Sequence, residues 1–397
     1  MSSALGRLGP GRRTAAADVV AGARRVLVVR ADDLGDNILG SGLPRALARS
    51  VSASCGLVAN PAAIDLVDVR GLDFVAGVDC RPRNRRDVLR TGRELRRALA
   101  AFDPDVVLLP RFGFEREALG IALVSARPPT VVTWSPSATA KRARRSWWLS
   151  LLPGPRLPGD DSPPHELDRL RAFSSWIGLD PNEVGPALDP RLVDPAPLPI
   201  GLADHGPPLV CIGIGAAQGR RRWPPERFAA LVRTLAGTGR TCALLGSLDE
   251  RELARAVCDP LGELLEDGSV VDLVGHIPLR ATAHLLGRSV LYVGNDSGIG
   301  HVAAAAGTPS VTISCHPVGA PTNHVNAPER YAPSGDRTVV VRPARPHTTT
   351  CARGCVPVDE PCCVLEVSTE AVLDASLSLL AATADSDVDA TRRESSQ

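Results

Sequence analysis

The chain has 397 residues and a formal net charge of +1, which excludes the strongly basic balance of a dedicated nucleic-acid binder. Aromatic residues make up 3%, too few for base-stacking platforms, and no apolar run approaches the roughly 18–20 residues that span a bilayer. The length exceeds one ordinary core, so two domains are expected, and the hydrophobic content of 44% fits a soluble globular chain.

Residues 1–24 carry Arg7, Arg12 and Arg13 but no apolar signal core, so they read as a mobile leader and secretion is not expected. Arg25–Arg30 is a β-branched apolar run and reads as a strand, followed by the loop Ala31-Asp32-Asp33-Leu34-Gly35-Asp36. A helix from Asn37 to Ala48 comes next, then shorter signals at Cys55–Val58, Ala62–Val67 and Phe74-Val75. A long helix over Asp87–Ala101 leads to a strand at Asp105–Leu109, a helix at Glu115–Val124 and a strand at Thr130–Thr133. Such alternation implies a parallel sheet wrapped by helices over residues 25–195.

Pro186, Pro190, Pro195, Pro197, Pro199, Pro207 and Pro208 break any regular element, and residues 196–208 read as an interdomain linker. A second series fills residues 209–383. It has strands at Leu209–Ile214, Thr241–Leu245, Val270–Leu273, Val290–Val293 and Ser310–Ser314, with helices at Pro224–Ala236, Asp249–Val257, Leu279–Leu286 and His301–Ala306. The polar tail 384–397 reads as disordered. The fold expected is α/β: two Rossmann-like doubly wound domains facing across a cleft, with ligands at the carboxyl ends of the strands.

Four loops fall at those strand ends. Asp36 follows Gly35 at a helix mouth, where a carboxylate can act as a general base, although Asp32 and Asp33 are ordinary helix-capping types. Gly213-Ile214-Gly215 through Arg220-Arg221-Arg222-Trp223-Pro224 resembles a dinucleotide fingerprint with the glycine spacing one residue too long. Its arginines before a Pro-led helix suit phosphate, because guanidinium forks pair bidentately with phosphate oxygens. In Gly246-Ser247-Leu248-Asp249-Glu250 an acid could bind ribose hydroxyls, and helix capping accounts for Asp249 equally well. Gly294-Asn295-Asp296-Ser297-Gly298 precedes a small-residue helix. Ser297 is a natural N-cap, Gly298 admits a ligand to the backbone amides, and Asp296 and His301 stand at the rim of an anion site.

Together these loops resemble glycosyltransferase family 9, the ADP-heptose:lipopolysaccharide heptosyltransferases and their relatives. The likeness runs from about Arg25 to about Ala375. It rests on Val26–Arg30 with Leu34-Gly35-Asp36, on Arg221–Phe228, on Leu273-Val274-Gly275 with Leu279, and on Val293–Gly298 with His301 and Ala303–Pro309. The resemblance implies a GT-B fold and metal-independent, inverting transfer, with the sugar nucleotide on the C-terminal domain. It places Asp36 as the catalytic base and Arg221, with Arg222, on the donor phosphates. Asp296 and the Ser297 and Gly298 amides then meet the sugar and pyrophosphate, and the loops themselves add Gly215, Glu250 and His301 as candidates for the sugar or nucleoside. Two departures are visible: Asn295 and Gly300 vary within the signature, and the Arg-rich loop replaces a more usual lysine.

Arg86, Arg90, Arg93 and Arg97 form one stripe on the Asp87–Ala101 helix and read as a solvated face. Lys141–Arg145 followed by Trp147-Trp148 suits either a solvated surface or an anionic membrane face, so Arg144, Arg145, Trp147 and Trp148 are candidates for acceptor or membrane contact. Cys351, Cys355, Cys362 and Cys363, in segment 351–363, match no common zinc spacing. The resemblance makes them a structural clip, with zinc as the alternative. Asp103-Pro104-Asp105 sits before a strand and reads as a turn. The expected protein is a cytoplasmic glycosyltransferase, working at the inner face of the cell membrane or free of it. It uses a nucleotide sugar such as ADP-heptose and a glycan, glycolipid or small-molecule acceptor, with no cofactor and no nucleic acid. The alternatives are an NAD(P)-dependent oxidoreductase and a non-catalytic sugar-nucleotide binder.

Overall fold

The computed structural model describes residues 15–30, 32–79, 85–111, 129–135, 152–158, 165–193, 208–322, 324, 326–346 and 362–394. The chain divides into two compact units, Met1–Asp189 and Pro190–Gln397, each built on its own sheet. Residues 194–207, which hold most of the expected linker, lie outside the described residues. So do the Glu115–Val124 helix, the basic Trp segment with Arg144, Arg145, Trp147 and Trp148, and Cys351 and Cys355.

In the first unit β1 (Arg25–Arg30), β2 (Ser54–Ala59), β3 (Phe74–Gly77), β4 (Val106–Leu109), β5 (Thr130–Trp134) and β6 (Arg156–Leu157) lie in the order β3-β2-β1-β4-β5-β6. Every pairing is parallel. A parallel sheet is covered on both faces, so its central strands must be apolar on both sides. Val26, Leu27 and Val28 of β1 and Val107 and Leu108 of β4 are accordingly sealed from solvent. The helices are α1 (Ala15–Ala21), α2 (Leu34–Leu39), α3 (Gly42–Ser50), α4 (Arg85–Phe102) and α5 (Glu166–Trp176), with one further turn at Pro61–Ile64. Two expectations are corrected here. Residues 15–21, read as part of a mobile leader, form a helix that buries Ala16, Ala17 and Val20. The helix expected over Asn37–Ala48 breaks at Gly40-Ser41 into α2 and α3. At that break a Cβ on Gly40 would lie 3.1 Å from the Arg30 guanidinium carbon. The arginine stripe of α4 is exposed, as a solvated face should be.

In the second unit β7 (Leu209–Gly213), β8 (Thr241–Leu245), β9 (Val270–Asp272), β10 (Leu291–Asn295), β11 (Ser310–Ile313) and β12 (Thr338–Val341) are again all parallel, in the order β12-β11-β10-β7-β8-β9. Counted from its own first strand this is the same 3-2-1-4-5-6 order as the first sheet, the dinucleotide-fold order. Its helices are α6 (Pro225–Ala236), α7 (Arg251–Cys258), α8 (Leu279–Gly287), α9 (Gly298–Ala305) and α10 (Thr369–Glu394). Helix α10 continues through residues 384–394, where disorder was expected. The core is centred on Trp223 and Phe228, packed edge to face at 5.0 Å among Val210, Ile212 and Leu244, with Val372 and Leu380 supplied by α10. Trp223 Nε1 donates to the Val367 carbonyl at 2.8 Å, and Arg227 Nη1 donates to the carbonyls of Leu365 and Val367 at 2.7 Å each. The segment leading into α10 is thereby fastened to the start of α6.

Candidate active-site residues at the two switch points

In a sheet of this order the chain leaves the first and fourth strands toward opposite sides. The loops after those two strands therefore diverge and leave a ligand-sized crevice at their carboxyl ends. In the first unit these are the loops after β1 and β4, and a side chain from the second reaches Asp36, which follows the first. Arg111, just beyond the end of β4, places its Nη1 3.2 Å from Asp36 Oδ2 and 2.9 Å from Asp32 Oδ1. Arg30, the last residue of β1, is itself buried. Its Nε lies 3.2 Å from Asp32 Oδ2, and its Nη2 donates to the Asp36 carbonyl at 2.5 Å. Asn37 Nδ2 donates to the carbonyls of Asp32 and Asp33, fixing the turn that presents Asp36.

Asp32 is thus an ion-pairing residue, not a cap. Asp33 does stand at the N-cap of α2 but makes no side-chain capping bond. The Asp36 side chain keeps 12% of its surface exposed, enough to meet a substrate proton. Burial pushes its carboxyl up from the ordinary range against the pull of Arg111, and Asp32 adds to the rise. A carboxylate with raised pKa, held by a guanidinium at a strand end, is equipped to accept a proton.

The second unit uses the loops after β7 and β10. Asn295, the last residue of β10, is fully buried and staples the two: its Nδ2 donates to the Ile214 carbonyl at 2.7 Å, and its Oδ1 accepts from Trp223 N at 2.9 Å. With Trp223 anchored, the preceding arginines diverge. Arg221 Nη2 donates to Asn326 Oδ1 at 2.6 Å, and its Nη1 lies 3.7 Å from Asp296 Oδ2. Arg222 turns back instead, its Nε donating to the Ala216 carbonyl at 3.1 Å, so it braces the loop. Burial raises the Asp296 carboxyl and Arg221 offsets part of that rise. Asp296 also lines a recess with Thr312, Ser314 and Tyr331.

Ser297 opens α9 in an extended conformation without a side-chain capping bond. The first amides of α9, Gly298 among them, carry the positive end of the helix dipole beside Asp296. His301, expected at the rim, is buried within α9. Gly215 and Glu250 are brought together: a Cβ on Gly215 would lie 1.9 Å from Glu250 Oε1. Glu250 Oε2 accepts from Ser247 N at 2.7 Å, closing a capping box after β8. A Cβ on Gly213 would lie 2.2 Å from the Tyr292 hydroxyl. The two glycines that looked like a dinucleotide fingerprint therefore make room for Tyr292 and Glu250.

Reading the sequence missed Arg30, Arg111, Asn295 and Asn326. For Arg111 a signal existed, since it is the first charged residue past the fourth strand. Asn326 carried none, because it is brought in from a loop far along the chain. Asp103 and Asp105 behave as the turn they resembled: Asp103 adopts φ 49°, and Asp105 accepts from the backbone N–H groups of Arg24 and Arg25. Among the described residues no group of three or more His, Cys, Asp and Glu side chains is placed to hold a metal ion, and no helix is long and apolar enough to cross a membrane.

Residues 187–357 match the family described as glycosyltransferase family 9 (heptosyltransferase). Lipooligosaccharide heptosyltransferase 2 of Haemophilus influenzae is 29% identical over 136 residues, 34% of this chain, and the match spans only 36% of that relative's length. Solved structures share the fold. The ADP-heptose lipopolysaccharide heptosyltransferase II of E. coli has a TM-score of 0.61 at 18% identity, covering 90% of this chain and 99% of that one. A glycosyltransferase family 9 protein of Veillonella parvula has a TM-score of 0.66 at 19% identity, covering 90% and 97%. The E. coli heptosyltransferase WaaC, solved with ADP-2-deoxy-2-fluoro heptose, has a TM-score of 0.59 at 19% identity, covering 88% and 98%. The fold class is that of the GT-B glycosyltransferases, and residues 187–357 are similar to glycosyltransferase family 9.

Proposed function

We propose that the protein transfers a sugar from a nucleotide diphosphate donor to an acceptor hydroxyl, with inversion at the anomeric carbon and without a metal ion. Asp36 removes the acceptor proton as the oxygen attacks the face opposite the leaving diphosphate. General-base assistance of this kind is worth about 10²–10⁴-fold. Arg221 and the first amides of α9, at Ser297 and Gly298, stabilise the charge that develops on the diphosphate, each such element contributing roughly 3 kcal/mol. Asp296 and Glu250 bind sugar and ribose hydroxyls. The observation that carries this reading is the Asp36 carboxyl, partly exposed at the β1 switch point and held 3.2 Å from Arg111.

ADP-heptose is the proposed donor, in keeping with the names of the relatives, and a glycan or glycolipid hydroxyl the proposed acceptor. Delivery of a lipid-linked acceptor at the inner face of the membrane, through Arg144, Arg145, Trp147 and Trp148, belongs to the same proposal. The test is Asp36→Asn with a chelator control. Donor binding should persist and transfer should collapse, while chelation of the wild type should leave the rate unchanged. A variant that transfers at the wild-type rate would remove Asp36 from the mechanism.

A further inference from the structure

Glu166 is a second buried carboxyl, on the helix that packs against the one carrying Asp36, and no step so far uses it. It opens α5 directly after His165, whose Nδ1 accepts from Leu167 N at 3.2 Å as the cap of that helix. Glu166 is 1% exposed, and its Oε1 has no hydrogen-bond partner among the described residues. Helix α5 packs on α2, which carries Asp36. The charged groups felt by Glu166 are Arg111 and Arg30, with Asp36 and Asp32 opposing them; Asp33 adds to the negative side around Asp36. Arg169, one turn further along α5, is also buried.

Both guanidiniums nearest Asp36 are already committed. Arg111 spans Asp32 and Asp36, and Arg30 holds Asp32 and the Asp36 carbonyl. A third anion here would be enclosed, would lack a hydrogen bond at Oε1, and would face two other carboxylates. The stable form of such a group is the neutral acid. Burial pushes the Glu166 carboxyl up to about 7, in line with that placement.

We propose that Glu166 is a positioning residue for the base: as a neutral carboxylic acid it leaves Arg111 to the Asp36 carboxylate, and it titrates together with Asp36 as one coupled pair. This rests on Asp36 being the base and adds the group that sets the upper pH limit of its action. When Glu166 ionises, the new negative charge draws Arg111 away and loosens Asp36, and transfer slows. The two carboxyls lose their protons in two steps that belong to the pair and not to either residue.

The test follows the glutamate carboxyl resonances of the full-length ¹³C-labelled protein with pH, alongside the pH profile of transfer. In the wild type one glutamate should titrate near pH 7. That signal should vanish in Glu166→Gln and move to lower pH in Asp36→Asn, where a like charge has been removed. The wild-type rate should fall severalfold as pH rises through the same region, and Glu166→Gln should hold its rate there. No glutamate titrating above about pH 6, a midpoint unmoved by Asp36→Asn, or an identical pH profile in Glu166→Gln would each overturn the proposal. The two readings fail separately. An Asp36→Asn protein that still transfers sugar defeats the general-base assignment. An inactive Asp36→Asn protein beside an unaltered Glu166→Gln profile defeats the role of Glu166 alone. Should Glu166→Gln fail to fold, the shift in Asp36→Asn decides.

Discussion

Removing the Asn326 side chain tests how Arg221, the arginine proposed to bind the donor phosphates, is held. Arg221 has two partners, Asn326 Oδ1 at 2.6 Å and Asp296 Oδ2 at 3.7 Å, and the shorter contact fixes the direction of the guanidinium. Asn326 is itself buried and fastened: its backbone N–H donates to His324 Nδ1 at 3.1 Å, and its Nδ2 donates to Cys315 Sγ at 3.6 Å. A hydrogen bond to a charged group contributes about 1.5–3 kcal/mol. If roughly half of that is spent holding Arg221 in its binding orientation, Asn326→Ala should weaken ADP or ADP-heptose binding about tenfold, which is 1.4 kcal/mol. Arg221→Ala should weaken binding further and, in the transfer assay, slow the rate about a hundredfold. Asn326→Asp keeps the contact but adds an anion that competes with the phosphates, so it should bind donor more weakly than Asn326→Ala and recover in part at high salt. Calorimetric titration with ADP at two ionic strengths reads all three variants. Wild-type affinity in Asn326→Ala, with an intact fold by circular dichroism, would refute the clamp.

Trp223→Ala removes a fully buried ring and its bond to Val367, and should destabilise the second unit by about 3–5 kcal/mol, visible in urea unfolding. Gly215→Ala places a methyl where Glu250 stands, so the variant should remain folded but bind nucleotide more weakly, as measured by calorimetry. The Glu166 carboxyl rises from 4.5 to about 7, a shift worth about 3 kcal/mol when fully expressed. Because the folded pKa exceeds the unfolded one, that stability is present at low pH and is lost as pH rises from about 4.5 to about 7. The wild-type Tm should therefore decline across this window, and Glu166→Gln should flatten the decline.

The strands that position both sites were legible because a parallel sheet demands unbroken apolar runs, and β1, β4, β7, β8 and β10 supply them. Two of the four edge strands were not. β6 is two residues long, and β12, Thr338–Val341, stands alone in a loop-rich stretch. Helix α5 was missed because a Pro- and Gly-rich run leads into it, although Glu166 and Asp168 in its first turn fit a helix start. Residues 384–394 have the polar composition of a tail, and nothing in their periodicity announces that α10 continues through them. Asp36, Arg221, Asp296 and Ser297 could be named because each lies in the segment that directly follows a readable strand, at most eight residues past its end. Their partners are harder to read: Arg111 meets Asp36 across 75 positions of chain, with only its place just past a strand to mark it, and Asn326 meets Arg221 across 105 with no local mark. Asp32 and His301 show the opposite error: their local pattern suggested a cap and a rim residue, whereas tertiary packing buries both.

The most direct test is acceptor-dependent release of ADP from ADP-heptose by the purified full-length protein, with the anomeric configuration of the product read by NMR. Transfer with inversion, lost in Asp36→Asn while ADP still binds, is the expected result. Nucleotide release that ignores the acceptor, retention at the anomeric carbon, or undiminished transfer by Asp36→Asn would contradict it.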